Sequence, residues 1–236
     1  MTTNQMAHKL SRWALAAAAA AVMWMPSAAS AQQYELSIGS TTRYMGSDSV
    51  DALTADDSMG MFSIAAGFHL NQVHLPLFDL LADVSLDTGT FGGTTFQRIH
   101  SESRVTTGMV GARLRWTVSP RGSFYGRAML GASRVSLSLE DLASAAALGD
   151  AGWSASTYLG GGVELLPARM VRNGRERFSL GVRLEGGYFA TTRVKMRAVA
   201  TDDMGADVIR LPTTMASLGS LDPSGWSLRF AVVARF

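Results

Sequence analysis

Cysteine is absent from all 236 residues, which excludes a disulfide framework and a lipid-carrying cysteine behind a leader. Lysine is almost missing as well. Past residue 31 only Lys195 remains, so the cations are arginines, which pair with carboxylates in planar, bidentate fashion and suit confined places. No stretch past residue 31 reaches the roughly 20 apolar residues that a membrane-crossing helix requires. Excess charge is lacking too: the 21 Lys plus Arg fall to 19 when Lys9 and Arg12 leave with residues 1–31, matching the 19 Asp plus Glu. A neutral chain has no surplus of positive charge for phosphate backbones, so no nucleic-acid partner is expected.

What is present starts with a leader. Lys9 and Arg12 bracket the entry to an apolar run over residues 13–25, followed by Pro26-Ser27-Ala28-Ala29-Ser30-Ala31. A basic start, a short apolar stretch and small residues at Ala29 and Ala31 form the three-part pattern of a secretory signal peptide cut near Ala31, before Gln32. About 13 apolar residues, mostly alanine, are too few for an anchor that needs roughly 20. The expected organisation is therefore a signal peptide at residues 1–31 and one domain at residues 32–236, working outside the cytoplasm.

Along that domain apolar residues recur at every second position, the period of a strand. The last stretch is the clearest: Trp226, Leu228, Phe230, Val232, Ala234 and Phe236 alternate with Ser227, Arg229, Ala231, Val233 and Arg235. Seven earlier segments alternate in the same way, at residues 34–44, 59–70, 77–87, 104–118, 124–137, 153–165 and from 178 through 188. The third sets Phe78, Leu80, Ala82, Val84 and Leu86 against Asp79, Asp83 and Asp87. The fifth changes phase near Arg134, which suggests a β-bulge. The seventh keeps its parity at Thr192, Val194, Met196 and Ala198, past any plausible membrane depth.

The connections alternate in length. Residues 71–76, 119–123 and 167–177 are short and carry turn formers such as Ser119-Pro120-Arg121-Gly122 and Asn173-Gly174. Residues 45–58, 88–103, 138–152 and 190–225 are long and rich in Asp, Ser, Thr, Gly and Ala. An even strand count with short turns on one edge and long loops on the other predicts an all-β fold. It is a transmembrane antiparallel up-and-down β-barrel of eight strands, with short periplasmic turns and long external loops. About 11 residues at roughly 3.3 Å each, tilted by about 40°, cover roughly 28 Å, enough for an apolar band of about 25 Å. Aromatics at Tyr34, Phe78, Trp116, Phe124, Phe178, Tyr188, Trp226 and Phe236 fall near segment ends, where interfacial girdles belong. A soluble β-sandwich shares the alternation but needs another source for the loop asymmetry. In a closed barrel the last strand pairs with the first, so a strand at the terminus exposes no edge and needs no polar tail.

The leader, the eight segments and the terminal stretch with Leu228, Phe230, Val232 and Phe236 on one face resemble the small OmpA-like outer-membrane β-barrels, over essentially all of residues 32–236. The resemblance implies an outer-membrane location in a Gram-negative-type cell, with the bilayer and lipopolysaccharide as surroundings and a monomeric state. It also implies that those four residues serve as the C-terminal signal read by the outer-membrane assembly machinery. Longer members of the family carry a peptidoglycan-binding domain, for which no residues remain after Phe236, so a tether to the cell wall is not expected.

The polar sets place Glu35, Asp79, Asp83, Asp87, Arg113, Arg115, Arg127, Glu164, Arg183, Glu185, Arg229 and Arg235 inside. An eight-stranded barrel is just wide enough for side chains to fill, so a charge-paired, largely closed lumen is expected. The same residues hold the register. A one-residue slip of the last strand would turn Arg229 towards lipid near mid-depth at a cost of about 2–4 kcal/mol. The expected role is structural or surface contact through the external loops; the alternatives are a narrow pore for small solutes and a rim-sited lipid A hydrolase. The last rests on His100-Ser101-Glu102-Ser103, since outer-membrane lipid A deacylases, also eight-stranded barrels, keep a serine, a histidine and an acid at the outer rim. Neighbouring residues on a strand point to opposite faces, whereas a triad needs convergence, so no enzyme is expected. His69 and His74 lack metal-ligand spacing. Gly160-Gly161-Gly162 and Gly186-Gly187 lack phosphate-loop spacing. Asp48, Asp51, Asp56, Asp57, Asp202, Asp203 and Asp207 lack the spacing of a calcium loop, so no cofactor or metal is expected.

Overall fold

The computed structural model describes residues 34–46, 57–70, 78–95, 99–141, 147–172, 175–197 and 217–236. The leader, His74, Asp48, Asp51, Asp56 and the three aspartates between residues 202 and 207 lie outside them. Among the described residues ten strands run in chain order: β1 (Tyr34–Met45), β2 (Ser58–His69), β3 (Asp79–Thr95), β4 (Ile99–Ser119), β5 (Gly122–Asp141), β6 (Ala147–Arg172), β7 (Arg175–Thr191), β8 (Val194–Arg197), β9 (Ser217–Leu221) and β10 (Gly225–Arg235). Eight of them close into a barrel in the order β1-β10-β7-β6-β5-β4-β3-β2, while β8 and β9 pair as a separate ribbon inside the last long connection. The seam joins first to last. β1 and β10 pair antiparallel from Glu35↔Arg235 to Met45↔Gly225, and Tyr34 and Phe236 exchange both backbone hydrogen bonds at 3.1 Å. Neither strand is left with an open edge there.

The wall is apolar outside and polar inside. Phe62, Val84, Leu114, Leu130, Leu159, Leu184 and Phe230 are exposed, whereas their sequence neighbours Ser63, Asp83, Arg113, Met129, Tyr158, Arg183 and Arg229 are buried. Period-two alternation produces this directly, because successive side chains leave opposite faces of the sheet. Aromatics stand at both ends of the outer face: Phe78, Trp116, Phe124, Phe178 and Phe236 towards the chain termini, and Tyr44, Trp153, Tyr188 and Trp226 towards the long connections.

Four boundaries differ from the sequence reading. β3 and β4 stay paired out to Thr95↔Ile99, and β5 and β6 out to Glu140↔Ala147, so most of residues 88–103 and 138–152 is strand instead of loop. No bulge occurs at Arg134; the β4–β5 register is unbroken from Ile99↔Asp141 to Thr117↔Ser123. The apparent change of phase is a change of lumen chemistry. At this height the inward positions become apolar, with Phe91, Val105, Val135 and Leu137 in one buried cluster, while Arg134 points outward. The register shifts lie elsewhere, at Thr117/Ser119, Leu165/Ala168 and Met170/Val171. The connection expected over residues 167–177 shrinks to residues 173–174, since β6 and β7 pair as far as Arg172↔Arg175. Finally, β7 stops at Thr191, and Val194 and Met196 belong to β8, where both are buried against Met45, Met59 and Leu221.

Candidate functional site: the lumen

The strand register lays opposite charges directly across from each other. Glu35 faces Arg235, Asp79 faces Arg115, Glu164 faces Arg183, and Glu185 faces Arg229. Such cross-strand pairs support one register over its neighbours. Arg113 and Arg127 also lie opposite each other, a repulsive pairing that Asp83 relieves by approaching both, at 3.0 Å and 2.9 Å.

Glu35 is the hub of the half nearest the termini. Its carboxylate takes contacts from Arg113 and Arg115 at 2.6 Å, Arg235 at 2.8 Å and Arg183 at 2.9 Å. Arg183 donates to Glu164 as well, at 2.6 Å, and Arg235 reaches the other Glu164 oxygen. Arg115 also donates to Asp79 at 2.9 Å and lies 3.0 Å from His69 Nε2, at the mouth of the barrel where Asp79 is half exposed. Gly67 makes room for this crossing: a Cβ there would lie 2.6 Å from Arg113 Nη2 and 2.9 Å from Asp83 Oδ1.

At mid-height Arg229 donates to both oxygens of Asp87 at 2.8 Å and to Thr41 Oγ1 at 3.0 Å, and Ser63 donates to the same Asp87. Glu185 accepts from Tyr125 at 2.8 Å and from Arg127 at 3.3 Å. Thr107, Ser133 and Ser156 form a chain of hydroxyls 2.7 Å apart across three strands. The twelve residues singled out by parity thus all face the interior, eleven of them buried.

Above this layer the chemistry changes. Arg43, 2% exposed, lies with its guanidinium 3.4 Å from the centre of the Phe189 ring, and its Nε and Nη1 have no hydrogen-bond partner among the described residues. Among the described residues it makes seven lumen arginines against six carboxylates. The alternation contained the signal for it, because Arg43 shares the parity of Glu35, but the apolar residues that follow hide it. Phe189 packs with Met109, Met129 and Tyr158, and beyond them Met45, Met59, Met61, Phe91, Val105, Val135 and Leu137 meet Val194, Met196 and Leu221 of the β8–β9 ribbon. The ribbon turns its apolar side into the barrel end and plugs it.

The fold is that of the small eight-stranded transmembrane barrels. No protein-family model and no curated relative matches the chain. Among solved structures it is similar to Ail, the attachment invasion locus protein of Yersinia pestis, at 12% identity over 88% of this chain and 100% of that one, with a TM-score of 0.47. It is similar to Neisserial surface protein A at 11% identity, over 86% and 94% of the two chains, with a TM-score of 0.40. The transport unit of the autotransporter AIDA-I from Escherichia coli matches at 12% identity, over 91% and 93%, with a TM-score of 0.33.

The rim residues do not converge. Ser101 is buried, its Oγ turned to the backbone of Gly93, accepting from N at 3.3 Å and donating to O at 3.1 Å. His100 and Glu102 stand exposed on the opposite face. A depression of about 350 Å³ runs past all three, yet the serine hydroxyl is directed away from its two neighbours. Among the described residues no three His, Cys, Asp or Glu side chains gather as a metal site.

Proposed function

We propose that the chain is an integral outer-membrane β-barrel of a Gram-negative-type cell with a sealed lumen, a structural scaffold that holds its external loops for surface contact and carries out no chemistry. The observation that carries this reading is the filling of the interior along its length. A buried ion-pair network occupies the half nearest the termini, and an apolar plug completed by the β8–β9 ribbon occupies the other. A water-filled passage needs a polar, hydrated route, and ten buried apolar side chains across one end oppose it. Apolar residues outward and ions inward support a bilayer surrounding, and delivery by the leader supports termini on the periplasmic side.

Purified protein in planar bilayers is expected to give no stepwise conductance. Steady openings from the pure protein would replace the sealed scaffold with the narrow pore. Leu228, Phe230, Val232 and Phe236, all exposed on one face of the closing strand, are the surface offered to the outer-membrane assembly machinery. Removing Phe236 should lower the heat-shifted, folded fraction in cells while purified chain still refolds in detergent. Equal folded fractions in cells would rule that role out.

A further inference from the structure

The outer wall carries two arginines in a place where membrane barrels carry few charges. Arg104 on β4 and Arg134 on β5 are both exposed and both point outward, and neither has an ion-pair partner among the described residues. Arg134 lies opposite Thr106 and Arg104 opposite Ser136, so the two are diagonal neighbours about 7–8 Å apart at the backbone, within reach of one ligand for side chains of this length. Their depth follows from the strand. Phe124, in the girdle at the terminal end, and Arg134 are ten positions apart on β5; at roughly 3.3 Å each and a tilt of about 40° this is about 25 Å, the height of the apolar band. Trp153, 70% exposed, lies directly across from Arg134 and marks the same boundary. The arginines therefore stand at headgroup level of the external leaflet.

Directly below them the wall is hollowed. Gly108, Ala132 and Ala155 lie in one cross-strand row. Beneath that row a groove of about 710 Å³ opens on the lipid face between Val110, Ala128, Leu130, Thr157, Leu159 and Trp226. A concave apolar trough under a pair of unpaired guanidiniums matches a molecule with a phosphate at the interface and a hydrocarbon chain below it. Guanidinium and phosphate form charge-assisted, bidentate hydrogen bonds, and apolar area removed from contact with mobile chains adds to them. Glu102, two positions further out on the face of Arg104, disfavours a second phosphate there and leaves the pair as the anion site.

We infer that this wall is a binding site for one phosphorylated, multiply acylated glycolipid of the lipid A type, with a phosphate held by Arg104 and Arg134 and an acyl chain in the groove. The site rests on the outer-membrane reading for the identity of the leaflet, but its test is scored separately from folding, by the heat-dependent gel shift of each sample. Folded protein in detergent is titrated with bisphosphorylated lipid A and, in parallel, with phosphatidylglycerol, and the bound lipid is counted by native mass spectrometry. One lipid A is expected per chain. Affinity should fall at least tenfold in R104Q/R134Q and in T157W, which fills the groove, and stay unchanged in R121Q, an exposed cation at the opposite end. Unchanged affinity in R104Q/R134Q, equal retention of phosphatidylglycerol, or a dimer of the chain in place of the lipid would each overturn the assignment.

Discussion

At the scale of single residues, the lumen separates two kinds of buried charge. Glu35 is surrounded by four guanidiniums within 2.9 Å and is 2% exposed, so its carboxylate is compensated several times over. Glu35→Gln keeps the volume and removes the charge that four arginines share; loss of one partner from a buried pair costs about 3–5 kcal/mol. Arg43 is the opposite case. It gains from Phe189 a cation–π contact of about 2 kcal/mol, whereas a buried guanidinium whose Nε and Nη1 have no hydrogen-bond partner among the described residues loses several kcal/mol of hydration. Arg43→Met should therefore leave stability unchanged or raise it, because the straight thioether chain joins Met45 and Met59 in the plug. Urea unfolding in detergent, followed by the gel shift, checks the contrast. A loss in Arg43→Met as large as that in Glu35→Gln would mean that Arg43 is held by an ion-pair partner in the folded barrel.

At the scale of strands, alternation was readable wherever the two faces differ in polarity, and it failed where they do not. All eight wall strands were visible between the girdles, because lipid outside and ions inside impose a period of two. Beyond the outer girdle, inward Val135 and Leu137 are as apolar as a lipid-facing residue, so the pairing continues while its sequence signature disappears. The stretch Thr88 to Thr95 reads as loop for a related reason: glycines and threonines carry no face preference, although they pair in register with β4. Glycine itself divides by face. Gly67 points at Arg113, whereas Gly126 points outward with nothing within 4 Å of an added Cβ. Gly67→Ala should destabilise by about 1–3 kcal/mol through overpacking, whereas Gly126→Ala should be neutral or stabilising by up to about 1 kcal/mol. Equal unfolding midpoints for the two variants would show that the crossing of Arg113 and Asp83 has slack.

For the whole molecule, the interior charge set was legible because closure converts parity into position, so that every odd residue of β10 lands inside. The ribbon plug was not legible, because whether Val194 and Met196 continue a wall strand or fold back over the barrel end depends on tertiary contacts that no local period encodes. Outward Arg134 was hidden for a different reason: the inward positions beside it turn apolar, so it looked like a fault in a pattern when it is an intact outward position. Absence of cysteine makes the inside-out arrangement directly measurable, since single cysteines from position 226 to 235 can each carry a spin label without a competing thiol. Power-saturation spectroscopy of the folded protein in bilayers compares access to oxygen, which concentrates in lipid, with access to a water-soluble nickel complex. Even positions are expected to be open to oxygen and odd positions closed to both reagents, from Trp226 to Arg235. Oxygen access at Arg229 or Val233, or nickel access at Leu228 or Phe230, would contradict a sealed barrel with lipid outside and ion pairs within.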